Sequence, residues 1–312
     1  MDVKCIQGDK TPATIIAVDN GNGNTKTEHL HFKSGVDVYM QEPTLNKDYF
    51  LIDGKYYVVG ESHMTYQGDK TNSDECYILT MAAITMELEY RQMTTAQIIL
   101  SVGLPLGWCG KDKKEELKTY MLRSRSVDVM HHDMNYHFEI VDVDVYPQGF
   151  AAICGRYAMN GTNMIADIGN GTINMMQIKD GIPKESSIYT EKMGVARCVD
   201  DIRKELSEMY VDDVPEDMFE SYLINGTAGK TGKVVDVVRR IAGSYSEEVI
   251  KRIYSYGFKE DLMTLYIIGG GGRILKNYSE FWKIPRVIFI DDICANAKGF
   301  ALLSSQKIQR TK

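Results

Sequence analysis

Two turns of one design constrain this chain more than any other feature. The apolar run Thr14–Val18 leads into Asp19-Asn-Gly-Asn-Gly-Asn-Thr-Lys26, and Asn163-Met-Ile-Ala leads into Asp167-Ile-Gly-Asn-Gly-Thr-Ile-Asn174. In each case an apolar strand ends in an aspartate, one residue intervenes, Gly-Asn-Gly follows, and the chain returns as a strand. Asn and Gly tolerate the positive φ that tight hairpin turns demand, so both segments read first as hairpins. The same residues suit a polyphosphate. Gly21 and Gly23 carry no Cβ to hold a phosphate away from backbone N–H groups, Lys26 adds a point charge, and Asp19 can face a metal ion. Asp167 follows Asp19 by about one domain length. The pair therefore predicts a duplicated domain whose two loops hold one polyphosphate from opposite sides.

The chain has 312 residues, of which 44% are hydrophobic, enough for two domains with cores of their own. No apolar stretch approaches the roughly 20 residues that span a bilayer, and Met1–Gln7 lacks the apolar centre of a leader, so a cytoplasmic protein with no membrane contact is expected. The net charge of −7 argues against direct nucleic-acid binding, which needs clustered Lys and Arg to displace counterions. Six scattered cysteines without a C-x-x-C pair read as reduced thiols. His29-x-His31 and His131-His132 could ligate metal, but neither pair has a third ligand at a suitable spacing, and both read as surface or strand histidines.

Strand-like runs at 13–18, 25–32 and 35–40 precede a hairpin over 49–59, turned at Asp53-Gly54. Asn72-Ser-Asp-Glu75 reads as the cap of a helix from Cys76 to about Tyr90. A buried strand at 97–103, a helix over 111–123, an alternating strand over 136–145 and a helix over 148–159 follow. In the alternating strand, Asp142 and Asp144 are expected on a solvent face. Strands near 172–178 and 184–190 lead to a largely helical stretch from Val195 to Tyr256. A strand at 264–268 then runs into Gly269-Gly-Gly-Gly272, a helix from Arg273, a strand at 286–290 and a closing helix from Ile293.

Four consecutive glycines each raise the cost of ordering the backbone by about 0.5–1 kcal/mol relative to alanine, which points to close approach of a nucleoside or to a turn before a helix. Other nucleotide signatures fail. In Gly226-Thr-Ala-Gly-Lys-Thr231 the Gly-Lys-Thr comes too soon for a Walker loop, and Gly21-Asn-Gly23 lacks the third glycine of a dinucleotide fingerprint.

Taken in order, Asp19–Lys26, Tyr146-Pro-Gln-Gly-Phe150, Asp167–Thr172, Ile267–Gly272 and Ala295-Asn-Ala-Lys-Gly-Phe300 resemble the phosphate, connecting and adenosine motifs of the actin superfamily. The Phe50–Gly60 hairpin, Val102-Gly-Leu-Pro-Leu106 and the compact length are similar to the bacterial ParM (StbA) plasmid-segregation filament proteins. The resemblance implies an α/β, actin-like (ribonuclease H-like) fold with duplicated domains around a nucleotide cleft. Domain I would comprise 1–160 plus 293–312, with an insert at about 35–75; domain II would comprise 161–292, with a helical insert at about 207–260.

It further implies ATP or GTP with Mg2+ as cofactors. Asp19 and Asp167 would face the metal through water, and Gly21, Asn22, Gly23, Asn24, Gly169, Asn170, Gly171 and Thr172 would form the phosphate turns, with Lys26 on the phosphates. Gly269, Gly270, Gly271 and Arg273 would lie by the nucleoside, and Glu191 and Gly194 would line the pocket. Gln148 falls where the family orients the attacking water; it is an amide, as in actins, where the better-known ParM proteins carry a carboxylate. The implied function is a polymerising ATPase whose head-to-tail filaments move plasmid DNA through a ParR-type adaptor. The rivals are a small-molecule kinase, with Asp142 or Asp144 as base, and a non-polymerising ATPase of the same superfamily.

Overall fold

The computed structural model describes residues 13–44, 48–61, 74–155 and 160–311. The first half is built on β1 (Thr14–Asn20), β2 (Asn24–Lys26), β3 (His31–Lys33), β4 (Val36–Tyr39), β5 (Phe50–Ile52), β6 (Lys55–Val59), α1 (Asp74–Tyr90), β7 (Thr95–Leu104), α2 (Lys111–Met121), β8 (Ser126–His131), β9 (Met134–Pro147) and α3 (Phe150–Ile153). The second comprises β10 (Thr162–Ile168), β11 (Ile173–Lys179), β12 (Ile182–Pro183), β13 (Tyr189–Glu191), α4 (Val195–Tyr210), α5 (Asp217–Asn225), α6 (Lys233–Ser255), β14 (Thr264–Ile268), α7 (Gly271–Tyr278) and β15 (Val287–Phe289). The closing helix is α8 (Ala295–Thr311).

The duplication is written in the strand order. The first sheet runs β3-β2-β1-β7-β9 and continues through β8-β5-β6-β4; the second runs β12-β11-β10-β14-β15. In both, a three-strand antiparallel meander is followed by two strands parallel to its first member. The turn chemistry is also in register, because Asp19 pairs with Lys26 and Asp167 with Asn174. Parallel strands need crossovers that cover the sheet faces: α1 lies between β1 and β7, α2 between β7 and β9, α4, α5 and α6 between β10 and β14, and α7 between β14 and β15.

One face of the first sheet packs on α1 and α2, and one face of the second on α4, α5, α6 and α7. The helix α1 is buried around nearly its whole circumference, down to Glu87. Between the two sheets lie α3 and α8. Ala152 and Ile153 of α3 join Ile165, Met176 and Tyr266 of the second sheet, while Ala151 joins Ala17, Ala297 and Phe300. Small residues set this spacing: a Cβ at Gly299 would fall 1.9 Å from the Ala151 carbonyl oxygen, and one at Gly103 2.3 Å from the Phe300 ring.

Several sequence expectations are revised. The single strand over 25–32 is two short strands, because Thr27 Oγ1 accepts the Leu30 N–H (3.0 Å) and folds the chain back at Thr27–Leu30. The helix expected over 148–159 is helical only at 150–153, since Gly149 and Gly155 both take positive φ (+79° and +72°) and 156–159 lie outside the described residues. The strand β8 was not anticipated; its hairpin into β9 turns on His132 and Asp133, both with positive φ. Asp144 is not on a solvent face: α8 covers it, with Ser304 Oγ donating to its carboxylate at 2.6 Å and Lys307 adding a shorter bond. The α1 cap at Asn72 also lies outside the described residues. The five cysteines among the described residues are free thiols, and no described helix is long and apolar enough to cross a membrane.

Because Gly299 meets a backbone carbonyl that cannot rotate away, Gly299→Ala is expected to destabilise the first half by about 3 kcal/mol. A fall in the urea midpoint measures it; an unchanged midpoint contradicts the tight α3–α8 crossing.

Candidate functional site

The two turns face each other. Gly23 is so close to the second turn that a Cβ on it would lie 3.1 Å from the Asn170 Cβ and 3.3 Å from its Cγ. The turns share one geometry, with Gly21 N–H donating to Asn24 O (3.1 Å) and Gly169 N–H to Thr172 O (2.9 Å). Neither uses positive φ: Gly21, Gly23 and Gly169 are absent from the left-handed region, so the hairpin rationale based on φ is corrected. Gly21 and Gly23 are required for lack of a Cβ. At Gly21 a Cβ would meet the Asn24 carbonyl oxygen at 2.9 Å and Lys26 Nζ at 3.0 Å.

Each turn is held from behind. Asn20 Nδ2 donates to Thr80 Oγ1 of α1 (2.7 Å), and Ser34 Oγ donates to Gly21 O (2.7 Å). Buried Glu87 accepts from Thr27 Oγ1 (2.6 Å) and from Arg91 Nε (2.8 Å), fixing the strand that carries Lys26. The second turn sits on the start of α4, where Val195 N–H donates to Gly169 O (3.0 Å) and Ala196 N–H to Asn170 O (2.9 Å). Gly194 permits that contact, because a Cβ there would fall 2.1 Å from Asn170 O.

A cleft of about 260 Å³ opens over both turns. Asp19, Gly21, Asn22, Gly23, Asn24, Lys26, Gln148, Asp167, Gly169, Asn170, Gly171, Thr172, Gly269 and Gly270 all line it. Asp19 is 2% exposed, and its charge is answered on three sides. Lys26 Nζ lies 3.3 Å from Oδ2, Gln148 Nε2 donates to Oδ1 at 2.5 Å, and Asn296 Nδ2 donates to Oδ2 at 3.4 Å. A buried carboxylate needs such compensation. Since a carboxylate only accepts, its bond fixes the Gln148 amide with Nε2 on Asp19 and leaves Oε1 as an acceptor.

Gln148 is placed by a γ-turn. Gly149 has φ +79° and ψ −61°, and Phe150 N–H donates to Gln148 O at 2.9 Å. This is the strained mirror form, open to glycine. Asn296, at the start of α8, accepts the Gly149 N–H on Oδ1 (2.8 Å) and so ties the γ-turn and Asp19 to one side chain. It lies within the Ala295–Phe300 motif, and its sequence signal is an Asn in the first turn of a helix that follows a strand.

The far end of the cleft is less polar. Val195 and Val199 of α4, Leu223 and Ile224 of α5, and Ile274 of α7 line it, together with Glu216 and Glu220. Sequence reasoning missed this wall because it comes from three separate helices. Gly269, with φ +84°, crosses the end of β10 so closely that a Cβ would lie 2.8 Å from Asp167 Oδ1. Glu191, Gly194, Gly271 and Arg273 are off the cleft lining. Glu191 accepts the Tyr256 hydroxyl, which pushes that phenol's pKa up. Gly271 lets α7 pack on Ile168, and Arg273 Nη2 reaches the Asp291 carbonyl at 3.5 Å. Asp142 and Asp144 are likewise off the lining.

Residues 17–150 match the family model of the N-terminal domain of actin-like proteins. A crystal structure of the archaeal actin homologue Ta0583 in complex with ADP superposes over 94% of this chain and 99% of its own, with a TM-score of 0.74 and 20% identity. A 15-stranded ParM filament from Clostridium botulinum covers 95% of this chain and 100% of its own (TM-score 0.74, 18% identity). Bacillus thuringiensis ParM with AMPPNP covers 94% and 98% (TM-score 0.71, 14% identity). Comparison with the curated proteins finds no match. The chain has the fold of the actin superfamily, and the resemblance drawn from its ordered motifs holds at that level.

Asn296→Ala removes the acceptor of the Gly149 N–H and is expected to cost about 1–3 kcal/mol. Asn296→Asp keeps that acceptor but sets a second carboxylate against Asp19, so it should not rescue. Thermal melts of both variants measure this; full stability of the aspartate variant contradicts the bridging role.

Proposed function

We propose that the chain is a Mg-dependent ATPase, with GTP as the other candidate nucleotide, that polymerises head to tail into filaments. The observation that carries this reading is the contact of Gly23 with Asn170, which brings two N–H-bearing turns from opposite halves to one point. In this reading 1–160 with 293–312 form domain I and 161–292 form domain II, with inserts at about 35–75 and 207–260.

The residues fit a metal-bound polyphosphate. Asp19 and Asp167 give hard oxygen donors on either side of the cleft, a set that suits Mg2+ held through water. When bound, Mg2+ supplies positive charge to the phosphate oxygens. The chain would supply the rest: Lys26 would exchange Asp19 for the phosphates, and turn amides other than those of Gly21 and Gly169, which bond within their own turns, would donate to phosphate oxygens. The Val199, Leu223 and Ile274 wall takes the base. Gln148, its amide fixed by Asp19, presents Oε1 to orient the attacking water, and positioning plus electrostatics carries phosphoryl transfer.

Nucleotide between the halves favours one relative arrangement of them, and hydrolysis releases it, which is how a filament contact becomes nucleotide-dependent. The edge strand β4 supports self-association, because its Val38 and Tyr39 and the following Met40 are 56%, 43% and 75% exposed. Of the three similar structures described above, one is a filament and two are nucleotide complexes. Plasmid segregation through a ParR-type adaptor follows from the ParM likeness, and the net charge of −7 favours an adaptor over direct DNA contact.

Purified protein given Mg-ATP or Mg-GTP is expected to scatter light and pellet, then decline as phosphate is released. Gln148→Ala should slow phosphate release by about 100-fold or more and prolong the polymer. Hydrolysis at the wild-type rate removes Gln148 from the mechanism, and no nucleotide-dependent scattering refutes the polymer.

A further inference from the structure

Away from the cleft, the β8–β9 turn gathers a second group of ligating side chains. His131 ends β8, is 1% exposed and stacks on Phe50 with ring centroids 3.9 Å apart. Its Nδ1 lies 2.9 Å from the Tyr49 carbonyl oxygen, which only accepts, so Nδ1 carries the hydrogen and Nε2 the lone pair. His132 repeats this arrangement with a carboxylate: its Nδ1 is 3.0 Å from Glu89 Oε1 at the end of α1. Both Nε2 atoms turn toward Asp48, at 3.7 Å and 3.4 Å from its Oδ1. The three ligand atoms lie within 4.8 Å of one another.

We propose that His131 Nε2, His132 Nε2 and the Asp48 carboxylate form a site for a divalent transition metal of the zinc class. Three features point to a metal. Two donors bound to one zinc at about 2.0–2.2 Å in tetrahedral geometry sit roughly 3.4 Å apart, close to the spacings of Asp48 from the two imidazoles. Each imidazole has its other nitrogen committed, one to a backbone carbonyl and one to a carboxylate, the outer-shell arrangement that orients metal-bound histidines. The turn that presents them also takes positive φ at His132 (+49°) and Asp133 (+58°), neither a glycine, an arrangement more costly than the Asn-Gly such turns prefer.

Two nitrogen donors and one oxygen favour zinc, cobalt or nickel over Mg2+. Three protein ligands leave a fourth position for water or an added ligand. The ion would clip the segment before β5 to the β8–β9 turn, with Glu89 tying α1 to the same point. The histidine pair alone lacked a third ligand in the sequence; the fold supplies it from Asp48.

The test uses the full chain, stripped with EDTA and held in excess Mg2+ so that hard-oxygen sites are occupied. Titrated Co2+ is expected to bind at one equivalent, with visible d–d bands and no thiolate charge transfer, and Zn2+ should displace it. His132 and Asp48 are exposed, so His132→Gln and Asp48→Asn spare the fold; each is expected to weaken Co2+ at least 10-fold. Glu89→Gln should weaken it about 10-fold through His132. Zn2+ should raise the wild-type Tm by more than that of His132→Gln at the same concentration. Absence of stoichiometric Co2+ binding, a thiolate band, or undiminished affinity in His132→Gln and Asp48→Asn overturns the site. None of these readouts depends on nucleotide binding.

Discussion

The close approach of two backbones, Gly23 on one side and Asn170 on the other, is the constraint on which the rest of the molecule turns. A side chain at position 23 would occupy the space into which Asn170 already reaches. With no Cβ at the contact, two four-residue turns meet with their N–H groups near one point. In the function proposed above, this meeting point is where the turn backbones receive the oxygens of a phosphate. The aspartates before the two turns, Asp19 and Asp167, both line the same cleft, and in that proposal a cation would offset their charge beside the phosphate.

The surrounding architecture serves this contact. Each turn belongs to the first hairpin of its own sheet, so the contact requires two separate cores to be held at a fixed distance. The helices α3 and α8 do this from between the sheets, and Gly103 and Gly299 are the places where side chains were removed to let them in. Gln148 sits in the γ-turn that leads into α3, and Asn296 in the first turn of α8. The layer that spaces the two halves therefore also carries the groups that meet Asp19. Packing and the site's hydrogen bonding are coupled through the same two helices.

Much of this was legible from residue order. Repeated Asp-x-Gly-Asn-Gly turns announced the duplication, and the helical stretch expected from Val195 to Tyr256 holds α4, α5 and α6. What failed was local. The turn glycines were explained by positive φ, whereas they serve close approach between halves distant in sequence. Gly155 ends α3 early, although its neighbours read as helix formers. Asp144 alternates with valines as an exposed residue does, yet α8 arrives over it from the end of the chain. The apolar wall of Val199, Leu223 and Ile274 draws one or two residues from each of three helices, which leaves no linear pattern. Gly194 lets the second turn sit on the start of α4 and Glu191 accepts the Tyr256 hydroxyl, contacts between residues distant in sequence that no linear pattern marks.

The most direct measurement is the structure of the chain bound to Mg2+ and a non-hydrolysable ATP analogue. The account predicts phosphate oxygens within hydrogen-bond distance of backbone N–H groups from both 21–24 and 169–172, with Asp19 and Asp167 on opposite sides of the metal's water shell. A triphosphate held by one turn alone, or lodged outside the cleft, would contradict it.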